Sequence, residues 1–214
     1  MHYQLKNILP NPLQEQKRTH VSNIWETTCH LEKGKKYLVT APSGKGKSTF
    51  LHILYGLRKD YSGTVELDAK ELSTLSIPNW ADLRKDNLAI VFQDLRLFPK
   101  LSAMDNILIK AKLHTLKTKE DIHAMAKKLG IDHLLNQSCE TLSYGQRQRV
   151  AIIRALCQPF DFLFLDEPFS HLDEANTEAA FQLIESVCAE QKSGYVLVSL
   201  GEQFGREYDV ALIL

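Results

Sequence analysis

Short apolar runs rich in β-branched or aromatic residues recur at residues 37–41, 88–92, 162–166, 195–200 and 210–214. Runs that stay apolar at consecutive positions belong to strands buried on both faces. The intervening stretches repeat their apolar residues at helical spacing. Phe50, Leu51, Ile53, Leu54 and Leu57 share one face of a helix expected over 48–57. Ala180, Phe181, Ile184, Val187 and Cys188 do the same over 174–192, with Asp173 as its N-cap. This alternation predicts an α/β protein with a largely parallel sheet, and 210–214 is read as a core strand. The stretch 94–158 breaks the rhythm: it has no convincing strand, but it has a helix start at Thr118 and Asp121, a stop at Gly130 and a second helix launched by Ser143. The expected division is therefore a core of 1–93 and 159–214 with a helical subdomain, 94–158, inserted between two sheet strands. No repeat, low-complexity tract or linker marks an independent second domain.

Composition narrows the class. A chain of 214 residues can bury one substantial core, or one core with a subdomain. Lys plus Arg and Asp plus Glu both total 26, so there is no basic field to gather nucleic acid. Lys33, Lys35, Lys36, Lys127 and Lys128 are read as solvated surface. Cys29, Cys139, Cys157 and Cys188 lack metal-ligand spacing and form no cluster with the eight histidines, so reduced thiols are expected. The apolar runs fall far short of the roughly 18 residues of a membrane span, and residues 1–10 have no signal-peptide core. A soluble chain without direct membrane insertion is expected, with any membrane role resting on separate subunits.

The run 37–41 leads into Ala41, Pro42, Ser43, Gly44, Lys45, Gly46, Lys47, Ser48 and Thr49, and then into the 48–57 helix. A glycine-containing loop between a strand and a helix is the setting of a phosphate-binding loop. Its backbone N–H groups can wrap phosphate, assisted by the helix N-terminus. Lys47 is placed to bridge the β- and γ-phosphates, Ser48 to ligate Mg²⁺, and Lys45 to add positive charge. The motif opens on Ala41 instead of glycine, which a negative φ would tolerate.

Run 162–166 ends in Asp166 and continues with Glu167 and Pro168. Alone, paired carboxylates at a strand end could be a helix cap or salt-bridge partners. After a phosphate loop, Asp166 can hold Mg²⁺ through its water shell and Glu167 can act as general base on a water. Gln93, just after run 88–92, reads by itself as a polar surface residue. At Ser143 a capping box with Gln146 opens a helix, and Gly145 lets a phosphate approach its positive end.

Leu142, Ser143, Tyr144, Gly145 and Gln146, followed by the strand ending in Asp166 and Glu167, resemble the signature motif and Walker B strand of ATP-binding-cassette (ABC) ATPases. The resemblance covers nearly the whole chain, with the motifs in family order. Gln93 takes the place of the Q-loop, which implies a contact with the Mg²⁺ and the attacking water, and Ser170, His171, Leu172 and Asp173 take that of the D-loop. Residues 93–99 with Met104, Asp105, Asn106 and Ile107 look most like the lipoprotein-releasing, macrolide-export and cell-division group. The resemblance implies a P-loop NTPase core that binds ATP and Mg²⁺, and a head-to-tail dimer, taken as two copies of this chain. There Ser143, Gly145 and Gln146 of one subunit, with Asp173 nearby, meet the nucleotide on the other. It further implies transmembrane permease subunits as partners, contacted through the surface near Gln93, and a cytoplasmic location peripheral to the inner face of the cell membrane.

Three departures from the family pattern qualify this. Tyr144 replaces a glycine and adds bulk near the phosphate. Leu200 stands where the switch histidine is expected, and leucine cannot hydrogen-bond a γ-phosphate. The aromatic that stacks on adenine is missing between Pro10 and Val21, so Leu13, Arg18, or more distantly Tyr3 or Trp25, would have to serve, and base discrimination should be loose. Because the chain ends at run 210–214, the cassette reads as minimal or shortened. The main expectation is an ATPase that powers a transporter through nucleotide-driven dimerisation, with slow hydrolysis unless His171 or a partner subunit replaces the histidine. The alternative is a degenerate or regulatory ATP switch coupled to a membrane partner. A metabolite kinase ranks third, because it has no use for the signature.

Overall fold

The computed structural model describes residues 1–14, 22–114 and 116–214. In chain order its elements are β1 (His2–Pro10), β2 (Thr28–Glu32), β3 (Lys36–Thr40), α1 (Lys47–Leu54), β4 (Tyr61–Leu67), β5 (Lys70–Glu71) and α2 (Ile77–Asp86). Then come β6 (Leu88–Val91), α3 (Ala103–Ala111), α4 (Lys119–Lys128), α5 (Tyr144–Leu156), β7 (Phe162–Asp166), α6 (Glu174–Gln191), β8 (Gly194–Ser199) and β9 (Val210–Ile213).

All five apolar runs enter one parallel sheet in the order β6-β7-β8-β3-β9. Every residue of β6, β7 and β8 is buried. The side chains alternate between two cores, as the two-residue period of a strand requires. Ala89, Val91, Leu163, Leu165, Tyr195 and Leu197 face a core shared with α3, α4, α5 and α6. Leu88, Ile90, Phe162, Phe164, Val196 and Val198 face the other, shared with α1 and the N-terminal strands.

Those strands form a second, antiparallel sheet, β2-β1-β4-β5, that the run analysis passes over. Its first strand starts with one face buried: in β1, Tyr3 and Leu5 are buried between less buried His2, Gln4 and Lys6. The signal was an alternation, not a run.

Three boundaries differ from expectation. The first helix stops at Leu54, and the chain reverses at Gly56 with φ 72°. A Cβ there would lie 2.5 Å from the Trp80 ring, so Leu57 leaves the helix face and is 40% exposed. Among the described strands β9 pairs with β3 alone and lies at the sheet edge, and its residues alternate between half-buried and exposed, so it is not the core strand expected. Lys33, Lys35 and Lys36 are not simply solvated, since they pair with Asp161, Glu32 and Glu185. Helix α6 closely matches its forecast, with Asp173 as N-cap. All four cysteines are buried and unpaired. Among the described residues, no helix is long and apolar enough to cross a membrane.

Gly194 opens β8 against the backbone of Lys35: a Cβ would come within 2.1 Å of the Lys35 carbonyl oxygen. Gly194→Ala must therefore push β8 away from the segment entering β3. The expected loss is about 1–3 kcal/mol, the usual cost of overpacking, read as a lower urea midpoint at unchanged slope. An unshifted midpoint would show that this approach is not a constraint.

Candidate active site

Strand register brings the chemistry to one edge of the parallel sheet. Val198 of β8 pairs with Val39 of β3 and with Asp166 of β7, while Val91 of β6 pairs with Leu165. The segments following β3, β6 and β7 therefore leave the sheet together. They line a cleft of about 290 Å³ with Ser43, Gly44, Gly46, Lys47, Ser48, Thr49, Gln93 and Glu167, joined by Pro10, Pro12 and Leu13. A larger groove of about 1090 Å³ lies elsewhere and includes Asp173, Glu174, Glu178 and Glu202 in its lining. Four carboxylates suit an anion poorly, so the smaller cleft is the better candidate for a phosphate.

The loop has the backbone that its glycines allow. Gly44 and Gly46 have φ of 76° and 93°, in the left-handed region. Gly46 is the N-cap of α1 and offers no side chain to the first turn. The other five α-helices are capped by the side chains of Ser76, Ser102, Thr118, Ser143 and Asp173. Among the α-helices of the described residues, only α1 thus leaves its first N–H donors without a side-chain cap, which is what an anion at a helix N-terminus uses. A Cβ on Gly46 would lie 2.8 Å from Leu13 and 3.1 Å from Trp25. Ala41 does not adopt a positive φ, so its methyl group is tolerated.

Lys47 is 6% exposed; its Nζ donates to the carbonyls of Ala41 and Pro42 at 3.0 and 3.2 Å. It also lies 3.4 Å from Glu167 Oε1. Lys45 is half-buried, and its carbonyl accepts from Trp25 Nε1. Thr49 Oγ1 accepts from Arg58 at 3.3 Å.

Ser48, Gln93 and Asp166 converge as expected for metal ligands. Ser48 Oγ donates a long contact to Gln93 Oε1 at 3.5 Å, and Asp166 lies beside Ser48. Asp166 is 1% exposed and its Oδ1 has no partner. Burial pushes its carboxyl up to about 6, against the opposing hydrogen bond from Ser48. An orphaned carboxylate oxygen beside a hydroxyl and an amide oxygen fits a hard cation that prefers oxygen ligands, so these residues suit Mg²⁺. Glu167 follows in the left-handed conformation, φ 47°, with its N–H bonded to the Val198 carbonyl at 3.1 Å. Its Oε2 accepts a long contact from Gln93 Nε2 at 3.4 Å.

Ser143, Gly145 and Gln146 do not line the cleft. The capping box is present: Ser143 Oγ accepts from the Gln146 N–H, and Gln146 Oε1 accepts from the Ser143 N–H. Both bonds use acceptor oxygens, so the Ser143 hydroxyl proton and the Gln146 NH₂ group remain as donors for an anion. Gly145 has a second reason to be glycine, because a Cβ would lie 2.8 Å from the His171 carbonyl oxygen. Asp173 accepts from the N–H and side-chain amide of Asn176.

Sequence reasoning missed Gln148, which is 1% exposed and reaches toward the Glu167 carbonyl and Ser170 Oγ at 3.5 and 3.4 Å. The available signal was a polar residue on the face shared with buried Ala151, Ile152 and Ala155. It also treated Tyr144 only as bulk, whereas its hydroxyl donates to the Gln93 carbonyl at 2.6 Å.

Leu200 is 59% exposed and brings no donor to the site. His171 packs on Tyr144 and lies 2.9 Å from Ser170 Oγ. Of the possible base-stacking residues, Tyr3 is fully buried with its hydroxyl on the Leu54 carbonyl, and Trp25 is buried beneath the loop. Arg18 lies outside the described residues, while Leu13 lines the cleft.

Lys47 is the buried cation closest to where phosphate would lie. Lys47→Ala should weaken ATP binding about 10- to 100-fold, as expected for loss of a charge-assisted contact, measured by calorimetry. An unchanged affinity would remove Lys47 from the phosphate site.

The ABC transporter family model matches residues 25–170. The lipoprotein-releasing system ATP-binding protein LolD of Buchnera aphidicola subsp. Schizaphis graminum is 32% identical over 199 residues, covering 92% of this chain and 87% of LolD. LolD of Shewanella denitrificans is 33% identical over 179 residues, covering 82% and 77% respectively. Among solved structures, the dimeric bacterial ABC transporter cassette MJ0796 superposes with a TM-score of 0.81 at 25% identity, covering 99% of this chain and 94% of that one. MJ0796 in a post-hydrolysis state with ADP and Pi gives 0.80 at 26% identity, covering 98% and 94%. With the P-loop core, the Walker B carboxylates and the signature helix all in place, the chain belongs to the ABC transporter family as an ATP-binding and ATP-hydrolysing subunit.

Proposed function

We propose that two copies of this chain close head to tail on ATP and drive transmembrane permease subunits. The carrying observation is that the cleft is incomplete: the phosphate loop, Gln93 and Glu167 line it, while Ser143, Gly145 and Gln146 lie outside with free donors. A second copy supplies those donors to the γ-phosphate, with Asp173 at the joint between subunits. Within one chain, Ser43, Gly44, Lys45, Gly46, Lys47, Ser48 and Thr49 cradle the phosphates. Ser48, Gln93 and Asp166 would hold Mg²⁺, which would neutralise charge on the phosphates. Glu167 accepts a proton from the attacking water, and Gln93 orients it. Segment 94–158 moves as a helical subdomain against the 1–93 and 159–214 core and carries the signature toward the other copy. The chain works in the cytoplasm at the inner face of the membrane, held there by its permease, and binds no nucleic acid. Pro10, Pro12 and Leu13 give the base an aliphatic contact, with weak discrimination between purines.

Glu167→Gln keeps the shape of the base and removes its proton affinity, so hydrolysis should stall with Mg·ATP bound and the closed dimer should accumulate. Size-exclusion chromatography with Mg·ATP should show dimer for the variant. A strictly monomeric variant at high protein concentration would count against the two-copy site.

One observation favours a slower motor or an ATP-gated switch: exposed Leu200 in place of a donor. Losing one preorganised contact to developing charge typically costs about 2.7–4 kcal/mol, or roughly 10²–10³ in rate. Basal phosphate release should therefore be slow, and Leu200→His should raise it clearly. If the unaltered chain is already fast and the substitution slows it, the missing-donor argument fails.

A further inference from the structure

We propose that Tyr144 is a positioning residue for Gln93, tying the signature helix to the metal and water ligand of its own subunit. The inference rests on the role proposed above for Gln93.

Tyr144 begins α5, and its hydroxyl donates to the Gln93 carbonyl at 2.6 Å. Its ring lies against the His171 imidazole, with centroids 4.2 Å apart and planes at 47°. His171 is itself tethered to Ser170 Oγ at 2.9 Å. One side chain therefore joins the segment after β6, the loop after β7 and the start of α5. The next residue tightens the junction, because Gly145 has no Cβ to separate the helix from the His171 carbonyl oxygen.

Helix α5 also grips the far end of the same loop. Arg154 donates to the carbonyls of Leu95 and Arg96 at 2.6 and 2.7 Å. Leu95 and Arg96 both have positive φ, 60° and 46°, so this turn needs such external bonds to persist. Residues 93–96 are thus held at both ends by one helix. The Gln93 side chain projects from this clamped backbone to lie within 3.5 Å of Ser48 and 3.4 Å of Glu167. A displacement of α5 must carry Gln93 with it. Contact at the signature with a second copy is thereby linked to the placement of Gln93 in the same chain.

Tyr144→Phe is the discriminating change, since it preserves the ring on His171 and deletes only the bond to Gln93. In the full-length chain, three quantities should move. The kcat for ATP hydrolysis should fall about 3- to 10-fold, the range of one net hydrogen bond. The Mg²⁺ concentration for half-maximal rate should rise, while the ATP dissociation constant measured without Mg²⁺ stays within about twofold. Amide hydrogen exchange should accelerate in residues 93–96 and stay unchanged in α1 and β3. His171→Ala should act in the same direction, and the double variant should be less than additive, because both act through one contact. Unchanged exchange at 93–96 in Tyr144→Phe overturns the proposal, as does acceleration spread evenly over the chain with a lowered melting temperature. The exchange readout needs no turnover, so it separates this inference from the proposed function: an inactive parent chain would sink the hydrolytic reading, while local exchange would still decide whether Tyr144 holds Gln93.

Discussion

The site depends on the register of β8. Val198 is paired to Val39 on one side and Asp166 on the other, and its carbonyl also receives the N–H of Glu167. This single residue sets the level at which the glycine loop, Asp166 and Glu167 leave the sheet. A slip of one residue would invert the alternation of β8 and exchange Val196 and Val198 with Tyr195 and Leu197 between the two cores. The chemistry is therefore tied to the packing of the whole sheet. Gly194 makes that register possible by allowing β8 to start against the backbone of Lys35.

Charge in the cleft is arranged around groups that lack full compensation. Lys47 is buried on two backbone carbonyls, with Glu167 as its nearby countercharge. Asp166 is buried with an unpartnered oxygen, and α1 has no side-chain cap. Each would be costly in an inert core, where buried polar groups find partners. Together they suit a hard cation and a polyanionic ligand, which would satisfy what the fold leaves open. The helical side of the molecule contributes differently. Its donors at Ser143 and Gln146 face away from the cleft, and its link to the site runs through Tyr144, Gln148 and Arg154.

Much of this was legible along the chain because it is encoded by local patterns. Consecutive apolar residues announced the parallel strands, and the order strand, glycine loop, helix announced the phosphate site. Ser143 with Gln146, Thr118 with Asp121, and Asp173 are short-range caps whose partners lie three residues away. The antiparallel sheet was less visible because its first strand starts with only one face buried. The end of the first helix was misplaced because Trp80, far along the chain, packs at Gly56.

The sequence by itself determined which residues can do chemistry: a lysine and serine after a glycine loop, two carboxylates after an apolar strand, a glutamine after another, and a leucine where a histidine would help. These follow from side-chain type and local spacing, which survive any arrangement of the rest. Only the tertiary structure decided that Asp166 is buried beside Ser48, and that β9 is an edge. It also decided that Gly145 is pressed on the His171 carbonyl and that Tyr144 reaches the Gln93 carbonyl. Those are contacts between segments tens of residues apart. Their geometry is set by sheet register and helix docking, which no local pattern encodes.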